Sequence, residues 1–198
     1  MSTSASDRRR IARVFLLFPP VRLPSETAQI ASCPLGVGYL AAFIRDRVEV
    51  QIMDAVAESE HVHCMDGDFA WYGAPLSEIR RRIERFQPDL VGITCLFSSV
   101  FPVIRQICRE VKRIDPGILT MTGGTYPSFM PERCLGEGAL DLIAQGEGEK
   151  VLLDLIDALN TGRDLGEVDG LAFRDGERIV VNPKTRWIEE LDSIPFPA

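Results

Sequence analysis

Apolar residues along this chain gather into five short runs, and between them hydrophobic positions recur every three or four residues. Arg13–Phe18 is dense in Val, Phe and Leu, the pattern of a strand buried on both faces. Val37, Leu40, Ala41 and Ile44 then repeat at helical spacing. Glu49–Asp54 reads as a second strand, with Val50 and Ile52 alternating, and Leu76, Ile79, Ile83 and Phe86 mark a second helix. Pro88-Asp89 separates that helix from a third strand, Leu90–Thr94. Ile104, Ile107, Cys108 and Val111 share one face of a third helix, which Asp115-Pro116-Gly117 ends. Residues 118–122 give a fourth strand, 131–135 a short helix, 141–144 a fifth strand, and 149–160 a strongly amphipathic helix.

Five β-α units in succession predict an α/β fold: a Rossmann-like (flavodoxin-like), doubly wound, five-stranded parallel sheet with strand order 2-1-3-4-5. The pattern changes after Asn160. Residues 170–173 and Arg178–Val181 flank Asp175-Gly176, which predicts a C-terminal β-hairpin. Ile194-Pro195-Phe196-Pro197 carries the punctuation of a linker. Residues 1–10 are expected to be a disordered leader, 11–160 the sheet domain, and 161–198 a hairpin and linker.

In open α/β sheets, ligands bind beyond the carboxyl ends of the strands, near the point where the chain reverses direction. The residues directly after each strand are therefore the candidates. Strand one is followed by Pro19-Pro20, strand three by Leu96-Phe97-Ser98-Ser99, strand four by Gly123-Gly124-Thr125-Tyr126, and strand five by Gly146-Glu147-Gly148-Glu149. Paired glycines let backbone N–H groups come close to a ligand. Thr94, Ser98 and Ser99 supply hydroxyls for amides or a nucleotide-like tail. Tight turns would explain any one of these loops; several loops converging on one edge point to a ligand.

Other chemistries find little support. No Gly-x-Gly-x-x-Gly follows strand one, no Walker A loop is present, and no paired acids of a phospho-receiver occur. No Ser-His-Asp or Cys-His set is apparent, so side-chain catalysis by this chain alone is not expected. His61, His63, Cys64, Asp66 and Asp68 have metal-ligand chemistry, but they lie in a long polar connection that reads as a solvated loop. Phe69, Trp71 and Tyr72 read as anchors of that same loop. Arg80, Arg81, Arg82 and Arg85 interleave with Glu78 and Glu84, the pattern of a salt-bridged helix face.

Composition narrows the field further. A formal net charge of -7 over 198 residues argues against a nucleic-acid surface. The five cysteines are scattered, without zinc or redox spacing, which together with no credible secretion signal suggests a cytoplasmic protein with reduced thiols. Arg8-Arg9-Arg10 only faintly imitates a twin-arginine signal, because Pro19-Pro20 ends the apolar stretch early. No apolar run reaches the ~20 residues of a membrane span.

Taken together, these segments resemble the N-terminal cobalamin (B12)-binding domain of B12-dependent radical SAM proteins. The likeness rests on Phe18-Pro19-Pro20, on Cys33-Pro34-Leu35-Gly36-Val37-Gly38-Tyr39-Leu40-Ala41-Ala42, and on Asp54. It continues through Pro88-Asp89-Leu90-Val91-Gly92-Ile93-Thr94, Gly123-Gly124, Gly146-Glu147-Gly148-Glu149, Gly170-Leu171-Ala172-Phe173 and Ile194-Pro195-Phe196-Pro197. The resemblance implies a cofactor site formed by Pro19, Pro20, Leu35, Gly36, Thr94, Leu96, Phe97, Ser98, Ser99, Gly123, Gly124, Thr125, Tyr126, Gly146, Glu147, Gly148 and Glu149. Cobalamin carriers of another type place Asp-x-His-x-x-Gly after strand one, and here Pro19-Pro20-Val21-Arg22 stands instead. The resemblance thus implies cobalamin held without a protein histidine on cobalt, with Leu96 and Phe97 lining that face and water or no ligand below the metal. It also implies a radical SAM catalytic domain in cis, methyltransferase or related in type. That domain would carry the [4Fe-4S] cluster and S-adenosylmethionine, since no Cys-x3-Cys-x2-Cys occurs in this chain. Ending at Pro195-Phe196-Pro197-Ala198 then reads as the junction between the two domains. Two readings stand beside this one: a cofactor-free docking or interaction domain on the same fold, and a small enzyme using another nucleotide cofactor.

Overall fold

A computed structural model describes residues 10–24, 33–58, 62–66, 68–136 and 138–198. Its strands, in chain order, are β1 (Arg13–Phe18), β2 (Val21–Pro24), β3 (Glu49–Asp54), β4 (Val62–Asp66) and β5 (Phe69–Tyr72), followed by β6 (Leu90–Thr94), β7 (Leu119–Gly123), β8 (Leu142–Ala144), β9 (Leu171–Asp175) and β10 (Arg178–Val181). The helices are α1 (Leu35–Ile44), α2 (Leu76–Phe86), α3 (Phe101–Ile114), α4 (Thr125–Phe129), α5 (Pro131–Gly136) and α6 (Gly148–Thr161).

The main sheet has the order β10-β9-β8-β7-β6-β1-β3, with β3, β1, β6, β7 and β8 parallel. It is a seven-stranded mixed sheet, where the sequence predicts five parallel strands. The hairpin accounts for the difference: β9 pairs antiparallel with β8 and β10 with β9, so the hairpin extends the sheet. A row of unpaired N–H and C=O groups on β8 is covered in this way.

Alternation along each strand sends side chains to opposite faces, and each face has its own helices. Phe15, Leu17, Val91 and Ile93 pack with Ile79 and Ile83 of α2 and Ile104, Ile107 and Val111 of α3. Val14, Leu16, Leu90 and Met121 pack with Val37, Ala41 and Ile44 of α1 and Leu152, Leu155 and Ile156 of α6. Three arginines of the basic run on α2 are paired as the spacing predicts, Arg80 with Glu84 and both Arg81 and Arg82 with Glu78, and Arg82 also meets Glu58 ahead of the helix.

The connection read as a solvated loop is instead part of a second sheet, β2-β5-β4, all antiparallel. Ala70 and Tyr72 of β5 are buried, while Phe69 lies under the Arg22 guanidinium at 4.1 Å. Val21 and Arg22 belong to β2, so the chain after β1 re-enters regular structure rather than forming an open loop. His63 is on β4, and His61 and residues 1–9 lie outside the described residues. Among the described residues no three His, Cys, Asp or Glu side chains are placed to hold a metal, and no helix is long and apolar enough to cross a membrane.

The final segment is pinned rather than trailing. Asp169 accepts from the Thr185 N–H (2.9 Å), the Thr185 hydroxyl (2.5 Å) and the Arg186 N–H (3.2 Å). Burial alone would push the Asp169 carboxyl up; these hydrogen bonds, with Lys184 beside it, override burial and hold it well below the usual carboxylate range. Farther on, the Ala198 N–H donates to Gly38 O of α1 at 3.1 Å.

Candidate functional site

On the face that α1 and α6 cover, side chains shrink toward the carboxyl edge of the sheet. β6 presents Leu90, then Gly92, then Thr94; β7 presents Leu119, Met121 and Gly123; β8 presents Leu142 and Ala144. Leu90 and Leu142 fill the core. At Gly92, Gly123 and Ala144 little or no side chain rises to meet the helices, and a cleft of about 210 Å3 opens there. Leu16, Leu17 and Met121 line it from the sheet, Gly36, Val37 and Leu40 from α1, and Gly148, Glu149 and Leu152 from α6. Thr94, Leu96, Gly124 and Gly146 line it from the strand-end turns. The cleft lies beside the β1/β6 boundary, where the winding reverses, as open α/β sheets place their ligand sites.

The lining is predominantly apolar. Among the described residues it includes no Lys, Arg or His, and Glu149 is the ionisable group that lines it. The Thr122 hydroxyl donates to Ile93 O at 2.8 Å, which satisfies a buried polar group and ties β7 to β6. Past the strand ends, the Cys95 N–H donates to Gly123 O at 2.7 Å. Gly124 has φ 115°, and a Cβ there would stand 2.5 Å from Cys95 O, so neither backbone angle nor space admits a side chain. Burial pushes the Cys95 thiol up to about 12, with Cys134 adding to the shift, so Cys95 stays protonated and is no nucleophile.

The cleft brings together Gly36, Thr94, Leu96, Gly123, Gly124, Gly146, Gly148 and Glu149 of the candidate residues. The others stand outside its lining. Pro19 and Pro20 are buried, and Pro20 packs on Gly73 after β5. Leu35 and Phe97 are exposed, as are Ser98 and Ser99 on a single 3-10 turn. Thr125 is exposed, and the Tyr126 ring meets Phe101 edge-on at 5.5 Å, toward the core of the other face. The Glu147 carboxylate accepts from the Ile188 N–H at 2.7 Å and so holds the final segment. Gly92, Val37, Leu40, Met121, Ala144 and Leu152 line the cleft without having been singled out. Gly92 carried a signal: a glycine inside a strand marks a close approach by a ligand or another backbone.

Fold and cleft define an open α/β ligand-binding domain with its site at the carboxyl edge of a parallel sheet. A family model described as "B12 binding domain" matches residues 27–156, and the chain belongs to that family. It is 31% identical over 217 aligned residues to the cytidylyl-2-hydroxyethylphosphonate methyltransferase of Streptomyces wedmorensis, covering 97% of this chain and 41% of that protein. It is 28% identical over 191 residues to the uncharacterized methyltransferase PH0819 of Pyrococcus horikoshii, covering 96% and 38%. The chain thus spans less than half the length of these relatives. Among solved structures, the cobalamin-dependent S-adenosylmethionine radical enzyme OxsB with aqua-cobalamin bound matches with a TM-score of 0.72 at 22% identity, over 94% of this chain and 24% of that one. The radical S-adenosylmethionine methyltransferase TsrM of Kitasatospora setae, with cobalamin and a [4Fe-4S] cluster bound, matches with a TM-score of 0.68 at 20% identity, over 95% and 31%. At these identities the structures speak to the fold. By family the chain is a B12-binding domain, and its fold is shared with these cobalamin-bound enzymes.

Proposed function

We propose that this chain is the cobalamin-holding module of a larger radical SAM protein of methyltransferase type. The observation that carries the reading is the tapered cleft: side chains give way to Gly92, Gly123 and Ala144 at the strand ends, within a chain that matches the B12-binding family. The residues present fit such a cofactor. Gly92 and Gly123 line the cleft without side chains of their own, and the apolar walls suit the heterocycle of a nucleotide tail. The cleft would hold the nucleotide tail, with its opening at the carboxyl edge of the sheet. When bound, cobalamin supplies a cobalt centre that accepts and donates a methyl group or an electron.

The chain's own residues bind and orient. Val37, Leu40 and Leu152 exclude water from the tail. The first-turn amides of α6 lack intrahelical partners and supply N–H donors beside Gly148 and Glu149. Thr94 offers a hydroxyl at the rim. Among the described residues no histidine lines the cleft, and exposed Leu96 and Phe97 would offer apolar surface toward the corrin ring. A radical SAM domain in cis, holding the [4Fe-4S] cluster and S-adenosylmethionine, completes the enzyme; the greater length of the relatives supports that arrangement.

The test is to mix the purified chain with hydroxocobalamin, desalt it and record the absorption spectrum. Near-stoichiometric cobalamin, with its benzimidazole off cobalt and no imidazole in its place, supports the reading. Folded protein that stays colourless refutes it for this chain and favours a docking domain without cofactor.

A further inference from the structure

Two edges of the cleft are glycine turns, and such turns have no side chains of their own to fix the distance between them. Gly124 follows β7 and Gly146 follows β8, and both have positive φ, 115° and 68°. One side chain joins them. The Ser128 hydroxyl, on α4, donates to Gly124 O at 2.8 Å and accepts from the Gly146 N–H at 3.2 Å. A serine bonding back to the carbonyl four residues earlier is common in helices. The second bond is different in kind: it crosses eighteen residues to another turn that lines the same cleft. The Ser128 N–H already donates to Gly124 O at 3.2 Å, so the hydroxyl is not needed to complete that turn of α4.

We infer that Ser128 is a positioning residue of the ligand cleft, its hydroxyl setting the separation and register of the Gly123-Gly124 and Gly146–Gly148 turns. The identity of the ligand rests on the cobalamin reading; the tie itself does not. One consequence concerns donors. The Gly146 N–H is engaged by Ser128, so the β8–α6 turn meets a ligand through the first amides of α6 instead.

The experiment compares wild type, Ser128→Ala and Ser128→Thr by hydroxocobalamin titration, thermal melting and amide exchange. A hydrogen bond of this kind contributes about a factor of ten in an equilibrium at most. Ser128→Ala is expected to speed Gly146 amide exchange about tenfold and raise the Kd for hydroxocobalamin about tenfold, with the melting temperature nearly unchanged. Ser128→Thr, which keeps the hydroxyl, restores both. Wild-type exchange at Gly146, or wild-type affinity in a variant with faster exchange, overturns the inference. Should wild type not bind hydroxocobalamin at all, the cobalamin reading fails and exchange at Gly146 alone judges Ser128. Should Ser128→Ala not fold, protection of the Gly146 amide in wild type supports the tie, and exchange at an open-loop rate there refutes it.

Discussion

The two ends of the parallel sheet are built on opposite plans. At the amino end, acidic side chains close off the backbone. Buried Asp89 accepts from the Ala12 and Arg13 amides at 2.8 and 3.0 Å. Asp141 accepts from the Thr120 N–H and hydroxyl at 2.8 and 2.9 Å and pairs with Lys112 at 2.6 Å. At the carboxyl end, β6, β7 and β8 finish in Thr94, Gly123 and Ala144, and among the described residues no basic side chain lines the space between them. One end secures the fold, and the other leaves room for a ligand. The difference separates stability from binding by position, which makes it open to test.

The largest expected effect is at the secured end. Asp89→Ala strands two backbone N–H groups and is expected to cost about 3 kcal/mol of stability, read by chemical denaturation. Protein that remains folded should bind hydroxocobalamin with unchanged affinity. Gly124→Ala is the carboxyl-end position where stability also falls, by about 2 kcal/mol, because the added Cβ meets Cys95 O at positive φ. A variant as stable as wild type would mean that this turn is not held as described.

A smaller effect is expected at Gly123→Ala. Its Cβ would sit 3.4 Å from Ala144, so melting should barely move while cobalamin affinity falls severalfold in titration. The smallest effect is pH-dependent and concerns the final segment. Asp169 has a folded-state pKa below its unfolded value near 4, so its contribution is present above that pH and is lost as pH falls. Trp187 packs against Gly146 in that segment. In a Trp71→Phe background, acidification below about pH 4 should change Trp187 emission before the main sheet unfolds. Asp169→Asn should show the changed emission already at neutral pH.

The sequence revealed most where one local signal decides the outcome. β1, β3 and β6 stand out as apolar runs bounded by proline, glycine or charge, and their ends match the runs. β2, β4 and β5 do not stand out. They are short, β2 begins directly after Pro19-Pro20, and β2 finds its antiparallel partner β5 far along the chain, although β4 and β5 are close neighbours in sequence. Tertiary contact, rather than propensity, makes them strands. The site divides in the same way. Strand-end glycines mark its rim, but Val37, Leu40 and Leu152 look like any core residue, and only the helix positions turn them toward a cleft. Glu147 and Ser128 are ordinary loop and helix residues until their partners, Ile188 and Gly146, are placed beside them.

Gly36 offers the most direct test of the central claim. It lines the cleft from the first turn of α1, and a Cβ there meets nothing within 4 Å among the described residues. Gly36→Phe therefore adds a bulky ring at the α1 wall of the cleft without crowding the core, and replacing glycine within a helix adds helix propensity. Hydroxocobalamin titration of wild type and Gly36→Phe, with melting temperatures measured on the same samples, decides the matter. The account predicts a loss of affinity of at least tenfold (about 1.4 kcal/mol) with no loss of stability. Wild-type affinity in a well-folded Gly36→Phe variant would contradict it and place cobalamin, if bound, elsewhere on the molecule.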